Sequence, residues 1–344
     1  MDNELETTFS VVTVVLNDLS GLLKTRASLV EQSICDWRHI IVDGSSTDGS
    51  ELFGEHVNSD PKTVFLSEKD DGIYHAMEKG WKSAEAGTFI VFLNAGDIFT
   101  SSDSLRIAKN RIESSPKTLN WACSTHEEIM PDGSNWVCKL VSEPTLANQL
   151  YAYGYRSHQG VLMKKEFLDS LGGFDRTFKI ASDWDLIVRA MQSDTPAVWK
   201  EPLIRFEVGG FSSQRILQAH LELRILREKY LWKRRSDRFF DDVYCAIFLS
   251  AIGYENYLTK LGRALKRLKF WPSFGSLLSS LTLKFFGSKE SREMESTWWR
   301  IKLRRIINLG VGLINSPKYL RSFLTYRFIG KLRSRLSIKP LAKP

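Results

Sequence analysis

The sequence predicts an α/β domain with a mostly parallel sheet, followed by a basic, mainly helical C-terminal region. Three observations carry this. Short β-branched runs alternate with amphipathic stretches in the first half, acids follow those runs directly, and the charge reverses between the halves. At 344 residues, 43% hydrophobic and 26% charged, the chain is neither disordered nor collagen-like. Its length suggests about two domains at roughly 150 residues each.

The strands come first. Ser10–Leu16 (SVVTVVL) is β-branched and nearly uninterrupted, as a strand covered on both faces should be. Arg38–Val42 and Val64–Leu66 are shorter runs of the same kind, and Thr88–Leu93 is the strongest. Between the last two, Ile73, Ala76, Met77, Gly80 and Ala84 fall on one helical stripe. Strand–helix–strand order at this rhythm predicts a parallel sheet under helices. Trp121, Pro131, Asp132-Gly133 and Trp136 suggest two strands joined by a turn. A helix is expected from about Ser182, with Trp184, Ile187, Val188 and Met191 on its core face, and Ser182 with Asp185 as a capping box.

After Gly209-Gly210 the texture changes. Residues 211–344 hold 28 Lys and Arg against 9 Asp and Glu, a balance of +19, whereas residues 1–210 hold 20 against 31, a balance of −11. Leu217, Leu221 and Ile225 mark an amphipathic helix, as do Leu261, Ala264, Leu265 and Leu268, and Trp299, Leu303, Ile306, Ile307, Gly310 and Ile314. Their other faces are crowded with Lys and Arg. Three readings of this half stand: a membrane-interface surface, a nucleic-acid binder, or a solvated helical bundle. No RNP, zinc-finger or helix-turn-helix signature accompanies the charge, so nucleic acid is not the expected partner. The expected boundaries are 1–210 and 211–344.

Compartment follows from what is missing. Cys35, Cys123, Cys138 and Cys245 lie far apart with no CxxC pair, which argues against a disulfide scaffold or a zinc ribbon and suits a reducing compartment. The opening Met1-Asp-Asn-Glu-Leu-Glu is acidic, unlike a signal peptide. The longest apolar run, Val243 to Tyr254, is too short to span a bilayer. The expectation is a protein neither secreted nor integral to a membrane.

The acids carry the chemistry. Asp43 follows the second strand, Glu68, Asp70 and Asp71 the third, and Asp97 the fourth. Ligands of open α/β sheets bind beyond the carboxyl ends of the strands. An acidic edge there repels phosphate unless a divalent cation intervenes, and Mg²⁺ or Mn²⁺ is held by one or two carboxylates plus substrate phosphates. The pattern therefore points to a nucleotide diphosphate held through a metal. No GxGxxG, GxxxxGK[ST] or GxSxG motif is present; Gly310-Val-Gly-Leu-Ile-Asn is a near miss in the wrong place.

Four stretches together resemble a known family: Val42-Asp-Gly-Ser-Ser-Thr-Asp-Gly, Ser67-Glu-Lys-Asp-Asp-Gly-Ile-Tyr-His-Ala-Met-Glu-Lys-Gly, Phe92-Leu-Asn-Ala-Gly-Asp, and Gly172-Gly-Phe-Asp with Ala181-Ser-Asp-Trp-Asp-Leu. In order and spacing the first 205 or so residues resemble inverting glycosyltransferases of family 2, which have the GT-A fold, and look most like bacterial members that extend surface polysaccharides. The resemblance implies that Asp43 binds the donor's base, usually uracil, that Asp70 lines the nucleotide pocket, and that Asp97 is the last acid of a metal-binding DxD motif holding Mg²⁺ or Mn²⁺. It implies Asp183 as the base that deprotonates the acceptor hydroxyl. His158-Gln159 stands where relatives often carry His-Gln near the diphosphate or acceptor; a polar packing role is the alternative. The chain departs from the pattern at Asn94, where the first DxD acid would stand, at His75, where many relatives have Asp, and at Glu78, where many have Asn. Asn94 still offers a carbonyl oxygen.

The combined reading is a glycosyltransferase on the cytoplasmic face of the plasma membrane. It would use a nucleotide-sugar, UDP-linked by resemblance, and a saccharide or lipid-linked acceptor, with the basic half on an anionic membrane surface. A non-catalytic binding protein on the same fold is the rival that Asn94 favours.

Overall fold

A computed structural model describes residues 8–233 apart from 116–117, 131–132, 139, 141–144, 152–156 and 210–214, together with Asp237, Asp241 and Cys245. These residues belong to two compact units. One comprises Met1–Gln149 and Gly154–Leu223, the other Leu150–Tyr153 and Arg224–Pro344. The helices expected at Leu261–Leu268 and Trp299–Ile314, and nearly all of the Val243–Tyr254 run, lie outside the described residues.

The first unit opens with β1 (Phe9–Val15), α1 (Leu19–Val30), β2 (Trp37–Asp43), α2 (Ser50–Val57), β3 (Thr63–Ser67), α3 (Ile73–Lys82) and β4 (Phe89–Phe92). β5 (Ile98–Phe99), α4 (Ser104–Glu113), β6 (Trp121–Ile129) and β7 (Asn135–Val137) follow, then α5 (Leu146–Leu150), which runs one residue into the second unit. A 3-10 turn at His158–Gly160 leads into β8 (Val161–Lys164), α6 (Lys165–Ser170), α7 (Ser182–Ser193) and β9 (Ala197–Glu207). α8 (Ile216–Tyr230) begins in the first unit and ends in the second.

Among the described residues the sheet has the order β3-β2-β1-β4-β8-β6-β9-β5, with β7 hairpinned onto β6. The β3, β2, β1 and β4 strands run parallel, β8 opposes β4 and β6, and β6 and β9 are parallel to each other. The four parallel strands coincide within a residue or two with the runs read from sequence. Their near-continuous apolar character has a cause: both faces are covered. Val12, Val14, Ile40, Val42, Ile90 and Phe92 pack on one side with Met77 of α3 and Leu186 and Ile187 of α7. Phe9, Val11, Phe89 and Val91 pack on the other with Leu29 of α1 and Leu105 of α4. A parallel arrangement sends the carboxyl ends of β1, β2, β3 and β4 to one edge, where the acids sit.

Three sequence expectations change. The Ser182–Asp185 capping box does not form: the residue preceding the helix is Ala181, no side chain caps it, and Ser182 Oγ is buried without a hydrogen-bond partner. Glu222 of α8 serves this helix start instead. Its carboxylate accepts from the backbone N–H groups of Lys179, Ile180 and Ala181 at 3.1, 2.8 and 2.9 Å. Asp185 is drawn to Arg189 at 2.7 Å, whose guanidinium also donates to the carbonyls of Leu171 and Gly173. A guanidinium already anchored by two carbonyls holds the carboxylate more strongly than a hydroxyl can. Trp184, expected in the core, is half-buried. On α8, Leu221 and Ile225 of the expected apolar stripe are exposed, while Leu226 and Arg227 are fully buried. Arg227 meets that cost by pairing with Asp241 at 2.5 Å, inside the second unit. No described helix is long and apolar enough to cross a membrane.

Candidate active site

The Asn94–Asp97 loop after β4 is the pivot of the edge. It closes as a turn, Asp97 N–H donating to the Asn94 carbonyl at 2.9 Å. Thr25, buried on the inner face of α1, locks it. The Thr25 hydroxyl donates to the carbonyls of Asn94 and Asp97 at 3.2 and 2.7 Å and accepts from Gly96 N–H at 3.0 Å.

A line of side chains runs from this loop to α7. Asn94 Nδ2 lies 3.3 Å from His158 Nε2, and His158 Nδ1 lies 3.1 Å from Asp183 Oδ2. The other Asp183 oxygen accepts from the Tyr74 hydroxyl at 2.8 Å, which also reaches the Ile180 carbonyl at 2.5 Å. The carboxylate can only accept, so His158 donates through Nδ1–H. Its Nε2 is then the acceptor for the Asn94 amide. This assignment gives Asn94 a reason: an aspartate there could not donate to His158. It also leaves Asn94 Oδ1, the amide's acceptor, without a donor.

His158 is delivered by its 3-10 turn, whose closing residue, Gly160, presses against β6. A Cβ on Gly160 would come within 2.5 Å of the Ser124 carbonyl oxygen, so only glycine lets the turn approach this closely. Behind the line, Phe92, Phe174 and Leu186 form an apolar wall, and the Tyr74 and Phe174 rings lie 5.2 Å apart. Burial, and then the Asp183 carboxylate, push the Tyr74 hydroxyl well above its ordinary pKa, so it stays a donor.

The fit of a divalent cation rests on two orphaned atoms. Asn94 Oδ1 and Asp97 Oδ2 are both buried with no hydrogen-bond partner. Buried oxygens without a donor are costly unless something electropositive meets them. Burial pushes the Asp97 carboxyl up to about 7, against the opposing pull of His158, Lys24 and a hydrogen bond from Gln159. Mg²⁺ and Mn²⁺ prefer such oxygen donors, and these residues fit that group.

The remaining predicted residues gather at the ends of β2 and β3. Asp43 is fully buried, and its carboxylate accepts from Ser46 N–H at 3.0 Å and the Ser67 hydroxyl at 2.8 Å. Asp70 accepts from Gly72 N–H at 2.8 Å, just before α3. A Cβ on Gly44 would lie 2.7 Å from Asp70 Oδ2, so Asp70 leans over the turn that Asp43 begins. His75 accepts from Asp71 N–H at 3.1 Å, and Glu78 pairs with Lys82 at 2.5 Å and with Arg176 at 3.4 Å. The structure thus joins Asn94, Asp97, His158, Gln159 and Asp183 in one group and sets Asp43 and Asp70 together in another. Sequence reasoning passed over Tyr74, Thr25 and Glu222. Tyr74 lay inside a motif already singled out, whereas Thr25 and Glu222 carry no local signal.

Residues 10–172 match the family described as Glycosyl transferase family 2. An uncharacterized glycosyltransferase of Mycobacterium tuberculosis is 28% identical over 211 residues, spanning 60% of this chain and 78% of the relative. A PGL/p-HBAD biosynthesis glycosyltransferase of Mycobacterium bovis is 24% identical over 190 residues, 54% and 70% of the two chains. Among solved structures, S. aureus TarS 1–349 in complex with UDP-GlcNAc superposes with a TM-score of 0.53 at 17% identity, over 71% of this chain and 72% of that one. The mannosyltransferase PcManGT from Pyrobaculum calidifontis, in complex with GDP-Man and Mn²⁺, gives 0.53 at 16% identity over 90% and 87%. The mostly parallel sheet is therefore a GT-A sheet.

Proposed function

Because residues 10–172 belong to glycosyl transferase family 2, we propose that this protein moves a sugar from a nucleotide-sugar, a UDP-sugar in the first instance, to a hydroxyl of a growing surface polysaccharide or lipid-linked oligosaccharide, inverting the anomeric centre. The observation that carries the reading is the hydrogen-bonded line Asn94–His158–Asp183, which starts beside the orphaned oxygens of the β4 loop.

Asp183 takes the acceptor's proton. Two of its roughly four lone-pair positions are engaged by His158 and Tyr74, which fix the carboxylate's orientation and leave the others for an incoming hydroxyl. As that proton leaves, the acceptor oxygen bonds to the anomeric carbon and the bond to the diphosphate breaks, so direct displacement inverts the centre. Asn94 and Asp97 would hold Mg²⁺ or Mn²⁺, which neutralises charge on a departing diphosphate. Asp43 and Asp70 line the nucleotide's end of the edge, and Gln159 steadies Asp97.

The domain at 1–210 would be carried to the cytoplasmic face of the plasma membrane by the region 211–344. Its +19 balance supports this, since each Lys or Arg near an anionic leaflet contributes on the order of 1 kcal/mol. The exposed Leu221 and Ile225 support it too. Cosedimentation of the full chain with anionic and neutral vesicles tests the attachment: anionic vesicles should retain more protein, and equal retention removes the electrostatic case.

The function is tested by incubating the full chain with a panel of UDP- and GDP-sugars and Mn²⁺ while following nucleoside diphosphate release. Release from one donor, lost on removing the metal, is the expected result. Tight donor binding with no release from any donor would favour the non-catalytic reading instead.

A further inference from the structure

A separate group of metal-ligating side chains lies on the β6–β7 hairpin. His126 and Glu128 are two residues apart on β6, and Cys138 follows β7 directly. Strand pairing fixes their register, because Cys138 N–H donates to the His126 carbonyl at 2.9 Å. One ligand atom from each of the three lies within 4.8 Å of the others, and His126 Nε2 is 3.3 Å from Glu128 Oε1. All three are buried, at 0%, 6% and 3% exposure. The His126 ring is steadied by Phe206, with centroids 5.3 Å apart.

From these residues we propose a zinc site, formed by His126, Glu128 and Cys138, that clips the β6–β7 hairpin. Geometry and donor chemistry agree on the ion. Tetrahedral zinc, with bonds of about 2.0–2.3 Å, holds its ligand atoms about 3.3–3.8 Å apart. The His126–Glu128 separation already has that spacing. A thiolate, an imidazole and a carboxylate form a mixed sulfur, nitrogen and oxygen set that suits Zn²⁺, whereas Mg²⁺ and Mn²⁺ seek oxygen alone. A dication there would meet the Glu128 carboxylate and the charge that Cys138 gains when its thiol gives up a proton. Binding releases the thiol proton of Cys138 to solvent and leaves one tetrahedral position for water. No ligand is shared with Asn94–Asp97, and the inference does not depend on the transferase reading. Because β6 runs parallel to β4, the clip stiffens a strand that extends toward the same edge as the site.

Metal analysis of the purified full chain tests this. About one zinc per chain is expected in the wild type and in Asp97→Ala, falling severalfold in Cys138→Ser and His126→Gln. Chelator-stripped wild type titrated with Co²⁺ should show a thiolate-to-cobalt charge-transfer band in the near ultraviolet, absent in Cys138→Ser. Should that variant fail to fold, the wild-type cobalt spectrum decides alone. Wild type without zinc and without the band overturns the proposal. So does zinc retained in Cys138→Ser but lost in Asp97→Ala.

Discussion

The β2–β3 side and the β4–α7 side of one sheet edge both collect acids, yet they hold them differently. At Asp43 and Asp70 the carboxylates are engaged by the turns they stand in, through Ser46 N–H and Gly72 N–H, with Ser67 Oγ at the end of β3 as a further donor to Asp43. At Asn94, Asp97, His158 and Asp183 the functional groups hold one another, and two oxygens stay without a donor. An acid satisfied by its own turn is pre-organised and can bind a ligand with little reorganisation. An acid held by neighbouring side chains, beside oxygens short of a partner, is set up for charge that arrives with substrate. We therefore assign binding to the first side and chemistry to the second.

The sharpest way to break this division is Asp97→Ala. It removes the only carboxylate of the β4 loop, so metal-stimulated nucleotide release should vanish while circular dichroism is unchanged. Near-normal release with the same Mn²⁺ response would refute the assignment. Tyr74→Phe should act on the same side more gently. Losing one hydrogen bond to a charged group costs about 1.5–3 kcal/mol, so kcat should fall roughly 10- to 100-fold with donor KM little changed. An altered KM at constant kcat would place Tyr74 with the binding side.

Glu222→Ala sharpens the comparison through stability. Three backbone N–H groups before α7 would lose their acceptor, and leaving such groups unmet costs about 1–3 kcal/mol each when buried. A lower urea midpoint at unchanged slope is expected; no change would mean that water replaces the carboxylate at no cost. A further effect, confined to acid pH, is remote from both sides. Burial, with Arg26 beside it, pushes His39 down to about 3, so the folded chain stays neutral there while the unfolded chain takes up a proton below about 6.5. The unfolded state binds more protons between those values, and stability from this group is therefore lost as pH falls from about 6.5 toward 3. His39→Gln should flatten that part of the stability–pH profile; an unchanged profile would assign the acid sensitivity elsewhere.

Much of this was legible in the sequence because its signals are local. A strand covered on both faces must be apolar along its length, so β1 and β4 announced themselves, and the acids at or after the ends of β2, β3 and β4 followed the parallel arrangement. What stayed hidden depends on contacts between distant residues. Thr25 holds a loop at 94–97, Tyr74 reaches residue 183, and Glu222 reaches 179–181. The capping box failed for the same reason: Arg189, anchored by the carbonyls of Leu171 and Gly173, claims Asp185. A local motif states what a side chain can do, and tertiary competition settles what it does.

The division between the two sides is tested most directly by steady-state kinetics of Asp183→Asn and Asp43→Asn under one donor and acceptor. Asp183→Asn should lose about 10²- to 10⁴-fold in kcat, the range for a missing general base, at nearly constant donor KM. Asp43→Asn should raise donor KM and leave kcat within a few-fold. The opposite pattern, with Asp43→Asn failing in kcat and Asp183→Asn only in KM, would contradict the assignment of chemistry to the β4–α7 side.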